Sequence, residues 1–205
     1  MATSTIIRSV TEALLTILKN DLGPSGSGII PTANIVAAPP ETVETVTTQT
    51  LILYLYQVLE SPFLKNSGLS VLPQTPTSPP PAQTVMVQRD PMALDLYYLL
   101  IPFSTEGNFL DTYDILGAAM RSFHDHAIFS PGALGVSTVV PAEANLEFRL
   151  SMNPLSTSDL LRLWEAVHRP YRLSVAYVVR TVQIDSSLAT IAQRMSQPRV
   201  ITSQQ

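Results

Sequence analysis

The sequence predicts an α+β fold in which one mixed or mainly antiparallel sheet is flanked by about three helices. Three observations carry this reading. Apolar residues recur at three- and four-residue spacing in three separate segments. Two other segments, LILYLYQVL at 51–59 and MALDLYYLLIPF at 92–103, are strand-length and apolar on both faces, as suits a central strand covered on each side. The elements follow the order helix, strands, helix, strand, helix, strand, an α+β plan.

The first helix is expected over 4–21, where Ile7, Val10, Leu14, Ile17 and Leu18 form one stripe. Ser4 or Thr5 can cap its start and Gly23-Pro24 stops it, followed by a Ser-Gly loop at 25–28. Strands are expected at 34–37, 42–48 and 51–59, then an irregular stretch from Ser61-Pro62 to Gly68. Residues 73–81 (PQTPTSPPP) hold five prolines in nine positions, which excludes a helix or central strand and makes 73–82 a Pro-rich surface loop. That loop is not expected to divide two domains, because residues 1–72 have no second helix to cover their sheet. A strand follows at 92–103. A second helix is expected over 112–126, with Asp111 or Thr112 as cap and Ile115, Leu116, Ala119, Met120 and Phe123 buried. Residues 127–142 read as loop. Residues 145–151 alternate Leu146, Phe148 and Leu150 with Glu147 and Arg149, the pattern of a half-exposed strand. A third helix over about 157–168 opens on Ser156 with Asp159, a capping-box-like pair, and buries Leu160, Leu163, Trp164 and Val167. Tyr171–Ile184 reads as a long strand, and Ser186–Gln205 as a polar tail, extended or partly helical.

Composition narrows the function classes. Charged residues are 14% of the chain, below the roughly 25% of ordinary soluble domains, so partner subunits are one way to cover a charge-poor surface. There is no cysteine, which excludes disulfides, thiolate metal sites and a cysteine nucleophile. Arg8 and Glu12 interrupt the apolar N-terminus, so it does not read as a signal peptide, and no run reaches the roughly 18 apolar residues of a membrane span. The chain is expected to be soluble and made in the cytoplasm. Its net charge of −4 is uneven: residues 1–148 carry −8 and residues 149–205 carry +4, with seven Arg and no Lys. Either the clustering is chance, or an acidic and a basic face meet in an assembly. The basic third has no recognised nucleic-acid motif, and no nucleic-acid partner is expected.

No constellation carries catalysis. His124-Asp125-His126 resembles a ligand cluster, but two His one residue apart diverge on a helix, and His at a helix C-terminus also suits the macrodipole. Ser27 lies in Gly-Ser-Gly, without the spacing of a nucleophile elbow. Neither a Gly-x-x-x-x-Gly-Lys nor a Gly-x-Gly-x-x-Gly loop occurs. Asp111 and Asp114 could pair as catalytic carboxylates, yet a helix start attracts acids anyway. Asp95 interrupts an apolar strand; it reads as the solvent-facing side of an edge position, or as a partner contact or ion pair with an Arg. Tyr54, Tyr56, Tyr97 and Tyr98 read as sheet packing, with a ligand pocket as the rival. No catalytic, cofactor or metal residue is expected.

Four segments carry a resemblance: LYLYQVLESPFLKN at 53–66, PMALDLYYLLIPF at 91–103, ILGAAMRSFHDHAIF at 115–129, and LWEAVHRPYRLSVAYVVRTVQIDS at 163–186. In this order they resemble the cap, or tail-terminator, proteins of extracellular contractile injection systems of the virulence-cassette and antifeeding-prophage type. The resemblance covers about residues 3–186 and implies a phage tail-terminator-like fold in a single domain, 1–186, with 187–205 as a C-terminal tail. It implies a non-enzymatic structural subunit, as cap or cap adaptor, in a hexameric ring at the baseplate-distal end of the particle. There it would end tube and sheath growth and hold the last sheath ring. Its partners would be itself, the sheath protein, the inner tube protein and a cap paralogue. Arg194, Arg199, Val200 and Ile201 in the tail are the candidate partner-binding residues, as an arm adding a strand to a sheath subunit. The rival function is a small-molecule binding module using the Tyr-rich sheet.

Overall fold

The computed structural model describes residues 5–41, 48–62, 70–71, 84–88, 91–104, 109–136, 146–186 and 189–193. The expected strand at 42–48 falls almost wholly outside these residues, as do the Pro-rich loop and Arg194, Arg199, Val200 and Ile201.

Helix α1 (Ile6–Leu22) buries Ile6, Val10, Ala13, Leu14, Ile17, Leu18 and Leu22 on one side. Thr5 occupies its N-cap position, but with helical backbone angles and no side-chain capping bond. The helix ends at Gly23, whose N–H donates to the Lys19 carbonyl. A Cβ there would collide with that carbonyl oxygen, so glycine is required by close approach.

Six strands form the main sheet: β1 (Ile35–Ala37), β2 (Thr50–Glu60), β5 (Met92–Phe103), β6 (Ile128–Phe129), β7 (Phe148–Met152) and β8 (Val175–Ile184). Their order is β1-β2-β5-β8-β7-β6. Among the described residues only the β1–β2 pair is parallel, so the sheet is mixed and mainly antiparallel. A second sheet joins β3 (Ser70–Val71), β4 (Thr84–Gln88) and β9 (Ala189–Gln193) in the order β3-β4-β9. Strand β9 gives part of the expected tail a regular partner, because Thr84–Gln88 pairs with it along its whole length.

The alternation of β5 explains the layering. Leu94, Leu96, Tyr98 and Leu100 join a core with α1 and α2 (Phe109–Asp125), while Leu99, Ile101 and Phe103 join a second core with Trp164 of α3 (Thr157–Ala166). The sheet therefore has two helices on one face and one on the other, which is why its central strands are apolar on both sides. Trp164 is 2% exposed and its indole N–H donates to Ser174 Oγ at 3.3 Å. At the start of α3, Ser156 Oγ accepts from the Asp159 N–H at 3.1 Å, as the capping pattern predicts, while the Asp159 carboxylate accepts from the Ser156 hydroxyl at 2.6 Å in place of the Ser156 backbone N–H. Helix α2 begins three residues earlier than expected, so Asp111 sits within its first turn, where its carboxylate accepts from Gln49 at 3.1 Å. Strand β8 starts at Val175, four residues later than expected, because Tyr171–Ser174 makes no ladder pairing.

Candidate assembly surfaces

His124 is exposed at the end of α2, whereas His126 Nδ1 lies 3.0 Å from the Ser122 carbonyl and 3.4 Å from Asp21. Ser122 Oγ also donates to Asp21, at 2.6 Å, so this cluster ties α1 to α2. Among the described residues no group of three His, Cys, Asp or Glu converges on a metal-sized site. No described helix is long and apolar enough to cross a membrane.

The tyrosines divide between the two faces. Tyr98 is fully buried against α1, where its phenol meets Thr11 Oγ1 at 2.8 Å. Burial pushes its pKa well above the ordinary value, and the Thr11 bond offsets this only in part. On the α3 side, Tyr56 and Tyr97 have ring centroids 6.1 Å apart, and the Tyr56 phenol accepts from Asn153 at 3.3 Å. Three surface grooves of about 450, 480 and 540 Å³ run beside α2, and none of the three is lined by Tyr54, Tyr56 or Tyr97.

Asp95 departs from its expected place. It is only 7% exposed, and it lies on β5, between β2 and β8 and not at an edge. One of its carboxylate oxygens is buried without a hydrogen-bond partner. Opposite it, β8 holds two residues, Arg180 and Thr181, between pairs that each advance β5 from Leu94 to Leu96. This is a β-bulge, and Thr181 takes a left-handed φ of 67° to make it. The extra residue lets Val179 and Val182 both face the α1–α2 core. Arg180 is exposed and stands directly opposite Arg149 of β7, which is exposed too. On the other side of Asp95, Leu59 of β2 pairs with it and is 45% exposed.

A second exposed patch gathers at the other end of β5. The first turns of α2 expose Phe109 (73%), Leu110 (67%) and Tyr113 (55%). Phe109 and Tyr113 share the 540 Å³ groove with Phe103, Tyr171 and Leu173. The Arg172 guanidinium covers the Phe103 ring at 4.7 Å. Asp114 is exposed beside them. Sequence reasoning missed both patches. The helical period does mark Leu110 and Tyr113 as lying off the buried stripe of α2, which was the available signal, whereas Phe109 stands one heptad before Leu116 and its exposure had no such sign.

Comparison with known proteins matches the Pvc16 N-terminal domain profile to residues 9–197. The chain belongs to the Pvc16 N-terminal domain family. No curated protein sequence matches significantly. Among solved structures, the fold is similar to the PVC sheath/tube terminator of an extracellular contractile injection system in its extended state. The TM-score is 0.65 at 16% identity, over 100% of this chain and 65% of that one. It is also similar to the tube-terminating cap of the anti-feeding prophage, with a TM-score of 0.58 at 14% identity, over 95% of this chain and 60% of that one. The chain thus spans a little under two thirds of the length of these relatives. For this Pvc16 N-terminal domain family member, the match establishes the tail-terminator-like α+β fold that the sequence resemblance implied.

Proposed function

We propose that this chain is a structural cap, or cap adaptor, subunit of a contractile injection system. It forms a hexameric ring at the baseplate-distal end and stops tube and sheath growth there. The observation that carries this reading is the likeness of the whole chain to a sheath/tube terminator, together with a family match over residues 9–197. Likeness to a second cap, that of the anti-feeding prophage, supports it. Partners under this reading are a second copy, the sheath protein, the inner tube protein and a cap paralogue. It needs no catalytic, cofactor or metal residue. The chain is made in the cytoplasm and then joins the particle. Residues 1–186 act as one domain, and the segment after β9, with Arg194, Arg199, Val200 and Ile201, reaches a sheath subunit as an added strand.

Electron microscopy of the purified chain mixed with its sheath and tube proteins tests the reading. Six-fold rings seated at one tube end are expected; tubes that keep growing in its presence with bare ends would overturn it. Deleting residues 194–205, which leaves β9 whole, is expected to weaken sheath binding while ring formation persists.

A further inference from the structure

We infer that the cross-strand row Leu59, Asp95, Arg180 and Arg149 is one half of a head-to-tail interface, and that its occupant is the start of α2 from a second copy. The inference rests on the ring reading and names the surfaces that would build it.

The row is anomalous in three independent ways. Arg149 and Arg180 stand directly opposite each other, an arrangement of like charges that disfavours strand pairing. Neither forms an ion pair within the described structure. The neighbouring Asp95 keeps a buried carboxylate oxygen without a partner. Finally, the bulge that sets Arg180 beside it holds a β-branched residue, Thr181, in the left-handed region, a costly conformation found most often at functional positions. A carboxylate placed between the two guanidinium groups would relieve their repulsion, and Leu59 beside them offers apolar contact.

The α2 start has the complementary chemistry: exposed Phe109, Leu110 and Tyr113 around the exposed carboxylate of Asp114. The two patches cannot meet within one molecule. Asp95 and Phe103 are eight residues apart on one strand, about 27 Å. Phe109 and Tyr113 share a groove with Phe103, which places their patch at the far end. Two different complementary patches at opposite ends of a subunit make a heterologous contact, the kind that closes into a ring when the rotation fits. The small number of cations, their mixture with Leu59 and Tyr97, and the overall charge of −4 favour a protein surface over a nucleic acid.

Charge exchange in the full chain tests this. Self-association is read by sedimentation velocity and native mass spectrometry, alone and with tube and sheath present, with a circular dichroism melt as the folding control. The Arg149→Glu/Arg180→Glu variant and, separately, the Asp114→Arg variant are each expected to self-associate at least tenfold more weakly. Placing all three substitutions in one chain is expected to recover most of that loss. Unchanged association of both reversed variants, while the wild type still forms rings, overturns this interface and leaves the ring reading standing. Loss without recovery in the triple variant overturns α2 as the occupant. Nucleic acid that copurifies and is released by the arginine reversal overturns the choice of partner. A wild type that stays monomeric under both conditions overturns the interface and the ring together.

Discussion

The phenol of Tyr98, at the centre of β5, meets the hydroxyl of Thr11 on α1 at 2.8 Å. Thr11 Oγ1 also lies 2.8 Å from the Ile7 carbonyl, to which it donates, so the Tyr98 O–H supplies the proton of the shared bond. This bond ties the first helix to the middle of the sheet. Tyr98→Phe removes it and leaves the Thr11 oxygen without that donor. A loss of about 1 kcal/mol is expected, read as a fall of a few degrees in thermal midpoint near neutral pH.

The same phenol gives a pH dependence. Its native pKa is raised by burial above the unfolded value of 10.0, so the native state holds the proton where the unfolded state releases it. The associated stability is present below pH 10 and is lost as pH rises beyond it. Between pH 8 and 11 the wild type is expected to lose thermal stability more steeply than Tyr98→Phe. Parallel slopes for the two proteins would contradict this.

Ser156 supplies the N-cap of α3, accepting from the Asp159 N–H. Ser156→Ala is expected to cost about 1 kcal/mol in urea unfolding, with an unchanged denaturant slope. Ser156→Thr should retain most of the stability.

His168 ends the same helix with a left-handed φ of 57°. Its N–H donates to the Glu165 carbonyl at 2.9 Å, so the turn is kept by a bond that glycine can make as well. The steric relief outweighs the added entropy of an unfolded glycine, and His168→Gly is expected to stabilise by roughly 0.5–1 kcal/mol. A lower melting temperature would show that the imidazole contributes more than the strain costs.

Trp164 anchors α3 on the sheet, whereas Leu161 of the same helix is 44% exposed. Trp164→Ala is expected to cost roughly 3–5 kcal/mol. Leu161→Ala should stay within about 0.5 kcal/mol. Equal losses would mean that α3 is held by its other face.

How much of this was legible in advance depended on the range of the interaction. The stripes of α1 and α2 and the two-sided apolar run of β5 are local periodicities, and each appears where its spacing put it; in α3 the stripe holds only in part, with Trp164 buried, Leu160 and Leu163 half-buried against the same core, and Val167 half-buried beyond the helix end. Ser156 with Asp159 is legible for the same reason, because a cap and its N–H group are three residues apart. The alternation of Phe148, Arg149 and Leu150 was enough to put Arg149 on an exposed face. The short strand β9 was not legible, since nothing in Ala189–Gln193 announces its partner at Thr84–Gln88, about a hundred residues away.

By itself, then, the sequence determined the fold class, the helical stripes and the absence of cysteine chemistry. Through four matching segments it also pointed to the cap family. Only the tertiary structure decided strand order, and with it whether Asp95 lay at an edge or in the middle of the sheet. Asp95 is buried because β2 and β8 flank its strand. Arg180 faces Arg149 because a bulge and the β7–β8 register bring together two residues 31 positions apart in the chain. Periodicity reports which side of its own element a residue occupies; what stands across from it is set by pairing between distant segments.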